Sequence, residues 1–159
     1  MVRILVVYDS RTGNTEEMAK SVAEGARKAG AEVVLKRADD VSLEDMKRAD
    51  GIILGSPTHF GTMSDRMKAL IDESVRIRGD LDGKIGACFS SSAHYAGGNE
   101  TTLLSLIKAM LIHGMIVAGD PLDVGGHYGV VSVGKPDAKT LEACEALGRR
   151  VVEIAGKLK

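Results

Sequence analysis

The sequence begins with a short apolar block that runs directly into a polar loop. Ile4 to Val7 are four consecutive aliphatic residues, the pattern of a strand buried on both faces of a parallel sheet. Beyond the loop, Met18, Val22, Ala26 and Ala29 recur every three or four residues, which indicates one apolar face of a helix. The start of the chain therefore predicts a strand, a polar loop and a helix.

The loop carries side chains suited to a small anion, namely Ser10, Thr12, Asn14 and Thr15. They would add donors to the unpaired backbone N–H groups of the first helical turn. Because the loop lacks the glycine patterns of triphosphate and dinucleotide sites, we predict that it binds a single terminal phosphate. The alternative is an ordinary strand-to-helix turn in which Asn14 or Thr15 only caps the helix.

Further apolar blocks alternate with helical patterns along the rest of the chain. This alternation, without an internal repeat or linker, predicts an α/β fold with a doubly wound, five-stranded parallel sheet in the order 2-1-3-4-5 and helices on both faces. The remaining predicted strands are residues 33–35, 52–54, 85–89 and a fifth at 115–118 that resumes at 130–133, and the predicted helices include residues 64–75, 100–113 and 141–158. Residues 42–45 have the pattern of a capping box at the start of a short helical turn. Ser64 is expected to cap the next helix, and Val75 to belong to its buried face.

Length, charge and cysteine content limit the classes of function. A chain of 159 residues with 44% hydrophobic residues fits one domain. A net charge of -1 gives no basic surface for nucleic acid or an anionic membrane. The spacing of Cys88 and Cys144 suggests neither a metal cluster nor a redox pair, and no signal peptide precedes Ile4. We therefore expect a cytoplasmic protein with two structural thiols.

The few aromatic residues are unevenly placed. Tyr8 and Phe89 end apolar blocks, whereas Phe60, Tyr95 and Tyr128 lie in loops that follow such blocks. The carboxyl ends of parallel strands share one edge of a sheet, so we expect all five rings at that edge. A flat conjugated ligand is the natural occupant of such a crevice.

The predicted fourth helix is apolar around most of its circumference. Residues 103–112 include seven large apolar side chains, all leucine, isoleucine or methionine, so an apolar flank is expected to remain exposed after one side packs on the sheet. Such a flank would suit a subunit interface. The alternative is a helix wedged between the sheet and neighbouring helices. Asn99 is expected to cap this helix.

Four segments together resemble the WrbA branch of the flavodoxin-like proteins. They are Gly55-Ser-Pro-Thr-His-Phe-Gly-Thr-Met63, the stretch from Phe89-Ser-Ser-Ser92 to Gly97-Gly-Asn-Glu-Thr-Thr102, His113-Gly-Met115 and Gly125-Gly-His-Tyr-Gly129. The resemblance covers almost the whole chain and implies a single flavodoxin-like domain, residues 1–159, that binds flavin mononucleotide (FMN). WrbA proteins are FMN-dependent NAD(P)H:quinone oxidoreductases, usually tetrameric, whereas flavodoxins proper are single-domain FMN electron carriers.

The resemblance also implies which residues bind the cofactor. It assigns the FMN phosphate to the loop of residues 10–15. The edge of the isoalloxazine ring is assigned to two further loops, residues 57–61 and 90–98, with Phe60 and Tyr95 flanking the ring. It implies no nucleophile and no metal ligand, so the electron chemistry would belong to the cofactor. The implied cofactor-binding residues are Ser10, Arg11, Thr12, Gly13, Asn14 and Thr15, then Pro57, Thr58, His59, Phe60 and Gly61, then Ser90, Ser91, Ser92, Ala93, His94, Tyr95, Gly97 and Gly98.

His113 and Tyr128 match residues of the WrbA substrate pocket. His113 lies at the far end of a predicted helix that leads away from the flavin edge by roughly 20 Å, at about 1.5 Å per residue. Only the flavin of a neighbouring subunit could use it. This position therefore favours a homodimer or homotetramer.

The chain departs from both groups within the family. The extra segment of longer WrbA proteins before the third strand is absent, and no tryptophan is available for a quinone pocket. Electron-carrier flavodoxins are usually strongly acidic around the flavin, whereas this net charge is near zero. The leading hypothesis is an FMN-binding protein that transfers electrons between redox partner proteins. The alternatives are a short NAD(P)H:quinone oxidoreductase and a phosphate-binding protein without flavin.

Overall fold

A computed structural model describes residues 1–159 and contains six strands and five α-helices. The strands are β1 (Arg3–Tyr8), β2 (Glu32–Arg37), β3 (Gly51–Pro57), β4 (Ile85–Ser92), β5 (Ile116–Val117) and β6 (Val130–Val133). The α-helices are α1 (Asn14–Lys28), α2 (Leu43–Arg48), α3 (Asp65–Glu73), α4 (Asn99–Ile112) and α5 (Ala138–Leu158). Short 3-10 turns at Ala38–Asp40, Ser74–Ile77 and Leu122–Val124 complete the regular structure.

All strands pair in parallel in the order β2-β1-β3-β4-β5, which confirms the predicted topology. The fifth position of the sheet is filled by two short strands. β5 pairs with the start of β4 at Ile85 and Gly86, and β6 pairs with its end at residues 89–92. The chain between them leaves the sheet after Ala118 and returns at Val130. This excursion brings its glycine-rich segment to the carboxyl edge.

The two faces of the sheet bury two separate apolar cores. Along β1, Ile4 and Val6 face the core covered by α1 and α5, while Leu5 and Val7 face the core covered by α2, α3 and α4. Successive strand residues point to opposite faces, so a strand buried on both sides must be apolar at every position. The continuous block at the start of the sequence reflects this double burial.

Helices α1 and α5 approach each other closely through two glycines. A Cβ placed on Gly148 would lie 2.1 Å from the carbonyl oxygen of Val22, and one on Gly25 would lie 2.0 Å from that of Glu145. Both obstacles are backbone atoms, which cannot rotate away. Glycine is therefore required at both positions for this helix pair to pack.

The helix ends agree with the predictions in part. Ser42 and Asp45 form the predicted capping box, and the Ser64 hydroxyl caps α3. Asn99 does not cap α4, because it is the first helical residue and its side chain donates instead to Ser92. The prediction that Val75 belongs to the buried face of the third helix is also wrong, since Val75 is exposed.

The prediction of an exposed apolar flank on α4 is confirmed. Leu103, Leu106 and Met110 are buried, whereas Leu111 and Ile112 are more than half exposed. No helix combines the length and the apolar character needed to cross a membrane.

Candidate functional site

The loop between β1 and α1 is held in shape by its own side chains and by β2. Gly13 has φ +97° and precedes the first residue of α1, while its N–H donates to the Ser10 hydroxyl at 3.1 Å. The Ser10 N–H donates to Asp9 at 2.9 Å, and Arg37 donates to the Ser10 carbonyl at 2.7 Å. These contacts fix the loop and leave several of its backbone N–H groups without a partner.

Five backbone N–H groups of this loop donate to no atom of the protein. They belong to residues 11, 12, 14, 15 and 16. No side chain caps α1, so the alternative in which Asn14 or Thr15 serves as the cap is wrong. Unpaired N–H groups at the positive end of a helix dipole form an anion site. The loop therefore has the donors that a phosphate requires.

Hydroxyl groups link the start of α1, the loop after β3, the end of β4 and the start of α4. Thr15 Oγ1 lies 2.8 Å from Ser91 Oγ, and Thr58 Oγ1 lies 3.2 Å from Ser90 Oγ and 3.1 Å from Thr102 Oγ1. The expectation that residues 90–92 lie in a loop is wrong, because they are the last residues of β4. They remain buried since their hydroxyls are satisfied by neighbouring loops.

Two exposed aromatic rings lie in the loops that follow β3 and β4. Phe60 is fully exposed and has φ +50°, within a turn closed by reciprocal backbone hydrogen bonds of 3.0 and 3.1 Å between His59 and Thr62. Tyr95 is 91% exposed and precedes Ala96, which has φ +54°. Bulky residues rarely adopt positive φ, and such strain concentrates at ligand sites. The backbone is therefore strained in both of the loops that carry these rings.

The prediction that all five aromatic rings line this edge holds only in part. Tyr8 and Phe89 are buried in the core, and only Phe60, Tyr95 and Tyr128 reach the surface. Tyr8 and Phe89 belong to strands, so their rings pack into the core between the sheet and the helices. The other three rings belong to loops and lie outside the core.

The two crevice loops contact each other at glycine residues. A Cβ on Gly98, which has φ +101°, would lie 2.6 Å from the Cα of Gly61. The loop from Pro57 to Gly61 and the loop from Ala93 to Gly98 therefore close on each other beside the crevice. His59 is half-buried and His94 is exposed; no side-chain hydrogen bond fixes either ring.

The glycine-rich excursion is closed on itself by one buried carboxylate. Asp120 accepts hydrogen bonds from the N–H groups of Gly126 and His127 at 3.1 and 2.8 Å. Tyr128 follows this clamp directly, and it lines a cavity of about 740 Å³ together with Tyr95. Its lining includes Tyr95, Ala96 and Gly98 and no residue of the loop of residues 10–15.

The thiols and the acidic residues form no further reactive group. Burial raises the pKa of both Cys88 and Cys144 to about 12, and the charge of Asp120 adds to the effect at Cys88. Neither thiol is therefore ionised near neutral pH. No group of histidine, cysteine, aspartate or glutamate side chains is arranged to hold a metal ion.

His113 and Tyr128 line two different cavities, so one subunit does not place them in a common pocket. Its ring is buried after the end of α4, where Nε2 lies 2.7 Å from the Ser74 hydroxyl. Burial, together with the nearby charge of Arg78, lowers the pKa of His113 below its ordinary value of 6.5. The ring is therefore neutral at pH 7.

We expect this histidine to make the fold less stable in acid. Because the folded-state pKa lies below 6.5, the unfolded chain binds the proton more tightly, and stability falls as pH drops through 6.5 toward the folded-state value. Below that value the loss is complete. Urea unfolding between pH 8 and pH 5 should show that the free energy of unfolding decreases less for His113→Gln than for the native chain. An equally steep loss of stability in the variant and in the native chain would contradict this role of His113.

Comparison with known proteins settles the family. The family model described as Flavodoxin matches residues 6–99. The chain belongs to the flavodoxin family. It is 44% identical to a flavodoxin of Aquifex aeolicus, over 96% of this chain and 86% of that protein. It is 40% identical to an NAD(P)H dehydrogenase (quinone) of Archaeoglobus fulgidus, over 99% of this chain and 100% of that protein.

Solved structures give the same result. A flavodoxin from the domain Archaea superposes with a TM-score of 0.84 at 30% identity, covering 98% of this chain and 99% of its own. A WrbA-like flavodoxin from Agrobacterium tumefaciens has a TM-score of 0.84 at 27% identity and full coverage of both chains. The resemblance drawn from the four sequence segments is confirmed. The alignment with the A. fulgidus protein spans 190 positions, so that relative carries residues which this 159-residue chain lacks.

Asp9 and Arg37 are site residues that sequence reasoning did not identify. Arg37 reaches the loop of residues 10–15 only because β2 pairs with β1, where Tyr8 is the register partner of Arg37. Its guanidinium lies 5.5 Å from the centre of the Tyr8 ring and 3.8 Å from Asp9. Their polar character at the ends of two adjacent strands is the one signal that the sequence offers.

Proposed function

We propose that residues 1–159 form a single domain that binds FMN and transfers electrons between redox partner proteins. The observation that supports this most directly is the set of five unpaired N–H groups at residues 11–16, together with the exposed rings of Phe60 and Tyr95 on the loops that follow β3 and β4. FMN has one terminal phosphate and one flat ring system, which match these two features.

The residues present fit this cofactor. Backbone N–H groups of residues 11–16 and the exposed Thr12 hydroxyl would bind the phosphate, while Ser10 and Gly13 maintain the loop. Thr15 and Ser91 bind each other, so their proposed part is to hold the phosphate loop against β4. Bound FMN supplies the electron-transfer chemistry. The protein binds and orients the ring and keeps water from its buried edge.

The remaining proposed contacts lie along the ring. Phe60 and Tyr95 would flank its two faces, and the backbone of Pro57 to Gly61 and of Ala93 to Gly98 would line its edge. Ser90 and Ser92 would act through the loops that they bind, since both hydroxyls are engaged at the end of β4. His59 and His94 would lie at the rim.

An FMN-dependent NAD(P)H:quinone oxidoreductase is the second candidate function. It is supported by the named A. fulgidus relative and by the cavity of about 740 Å³ beside Tyr128, which has room for a small substrate. In that case Tyr128 would line the substrate pocket, and His113 would reach it only from a neighbouring subunit. This second candidate function includes assembly into a homodimer or homotetramer, with the exposed apolar flank of α4 as the subunit interface.

The test begins with cofactor binding and continues with turnover. The purified protein should quench FMN fluorescence stoichiometrically and bind FMN more tightly than riboflavin, which lacks the phosphate. The loaded protein should then accept electrons from a protein reductase without steady-state oxidation of NAD(P)H in the presence of a soluble quinone. Sustained turnover with quinone would select the second candidate, and absence of FMN binding would refute both. A cytoplasmic location is also proposed, in keeping with two free buried thiols.

We expect Thr12→Ala to weaken FMN binding by about tenfold, the effect of losing one hydrogen bond to a charged group. Thr12 is exposed and makes no hydrogen bond within the protein, so the fold should not change. Fluorescence titration should show unchanged affinity for riboflavin, which makes no phosphate contact. An equal loss for both ligands would place the phosphate elsewhere.

Phe60→Gly should have opposite effects on stability and on cofactor binding. The ring is fully exposed and its backbone has φ +50°, so glycine should relieve strain and raise the free energy of unfolding by about 1 kcal/mol. Loss of the stacking ring should weaken FMN binding several-fold, by about 0.5–1.5 kcal/mol. Urea unfolding of the apoprotein and FMN titration measure the two effects. Tighter FMN binding by the variant would refute the stacking role.

A further inference from the structure

A second cavity lies in the groove between α3 and α4, apart from the proposed FMN site. It has a volume of about 530 Å³, within the range of small-molecule sites, and none of its lining residues belongs to residues 10–16 or 93–98. Apolar side chains of Met63, Ile71, Val75 and Ile112 form much of its wall. His113 lines one end of the groove.

The hydrogen bonds of His113 determine which of its ring nitrogens carries the proton. The Ser74 hydroxyl donates its single hydrogen to the carbonyl oxygen of Ile71 at 2.6 Å. Its oxygen must therefore accept from His113 Nε2–H at 2.7 Å. Nδ1 is left with a free lone pair. It is buried and has no hydrogen-bond partner in the protein.

An orphaned nitrogen of this kind indicates a missing ligand group. Buried polar atoms without partners are rare because each costs free energy, and His113 Nδ1 is one of two such side-chain atoms in this chain. Nδ1 is covered by protein atoms, so a ligand in the groove would reach it only after a small movement of the His113 ring or of the atoms that cover it. Nδ1 would then accept a hydrogen bond from a carboxylic acid or, when protonated, donate one to a carboxylate.

The charges around the groove favour an anion. Lys68 is neutralised by Asp72 at 2.7 Å, but Arg78 and Lys108 form no ion pair. A second copy docking here through a two-fold axis would bring the same two cations toward their own counterparts. A small anion is favoured by both cations, whereas a second copy is opposed by them.

We propose that the groove between α3 and α4 binds a small apolar carboxylic acid, with its aliphatic or aromatic part against Ile71, Val75 and Ile112 and its carboxyl group near His113, Arg78 and Lys108. The site is independent of the proposed FMN site, and its test does not require flavin chemistry.

The test compares an acid with its neutral amide. 2-Naphthylacetate and 2-naphthylacetamide have the same apolar part and nearly the same size. Each is titrated at pH 7 into the ¹⁵N-labelled protein, with and without added FMN, while backbone resonances are followed. We expect saturable shifts at residues 71–78 and 108–113, and binding of the acid at least about tenfold tighter than that of the amide. FMN should not compete.

A matched pair of double variants separates the role of the cations from net charge. Arg78→Gln with Lys108→Gln should reduce affinity for the acid at least about tenfold and leave the amide unchanged. Arg149→Gln with Lys157→Gln removes two exposed, unpaired cations of α5 and should change neither. His113→Gln should also weaken binding of the acid. The dispersion of the NMR spectrum verifies that this variant is folded.

Several results would overturn the proposal. They are equal affinities for acid and amide, absence of shifts in the groove, and shifts confined to residues 58–60 and 93–98. Light scattering that shows a dimer, with dimer-dependent shifts at the same groove, would assign the surface to a second copy instead. Failure of the protein to bind FMN would refute the proposed function and leave this test intact.

Discussion

Replacing Gly98 with alanine is expected to weaken FMN binding at least tenfold, or about 1.4 kcal/mol. The new Cβ would lie 2.6 Å from the Cα of Gly61, so the two loops beside the crevice would have to separate. Because the obstacle is backbone, a change of side-chain rotamer cannot relieve it. Separation of the loops should move Phe60 and Tyr95 apart and spoil their fit to a flat ring. Fluorescence titration of FMN measures the effect.

The matched control is Gly79→Ala. Gly79 also has φ +101°, but a Cβ there would meet no atom within 4 Å, and the residue lies in an exposed loop away from the crevice. It should show the same backbone strain as Gly98→Ala, with a small loss of stability and unchanged FMN affinity. If the two variants bind FMN equally well, the contact between the loops does not shape the site.

The largest expected effect on stability is that of Gly148→Ala. Its Cβ would lie 2.1 Å from the carbonyl oxygen of Val22 and 2.9 Å from the backbone nitrogen of Ala26, so α5 would have to move away from α1. Overpacking of this kind costs about 1–3 kcal/mol, and the rigid backbone obstacle places this variant at the upper end. Urea unfolding should show the loss directly.

Gly156→Ala in the same helix should have the opposite sign. Its Cβ would meet only Val2 at 3.8 Å, an ordinary contact. Replacing a helical glycine with alanine then stabilises by about 0.5–1 kcal/mol, since the unfolded chain loses freedom. The same substitution at two positions of one helix thus distinguishes the cost of the clash from helix propensity. Destabilisation by both would show that the close approach of α1 is not the cause.

The fold is predictable from the sequence because the central strands β1, β3 and β4 are buried on both faces and so appear as largely apolar blocks. The end of β4 is the exception. Ser90, Ser91 and Ser92 have the composition of a loop, yet they are buried in the sheet. Their hydroxyls find partners in Thr58, Thr15 and the carbonyl of His94, and these partners become visible only when the strands are aligned side by side.

The candidate site is predictable only where one segment provides the whole feature. The loop of residues 10–15 follows from its own glycine and hydroxyls. In contrast, the interaction of Arg37 with Ser10 joins two strands, and that of His113 with Ser74 joins two helices. Single-segment patterns carry no information about such pairs, because the pairing depends on distances set by the whole sheet.

The division of the fifth strand has a consequence for how such a protein could diversify. β5 and β6 each have their own register with β4, one at its start and one at its end. The chain between Ala118 and Val130 is therefore free of the hydrogen-bond ladder at both of its ends. Residues could be inserted or exchanged there without shifting the register of any strand. The segment that carries Tyr128 could therefore be exchanged as a unit, which gives one scaffold a route to new partners while the loop between β1 and α1 stays constant.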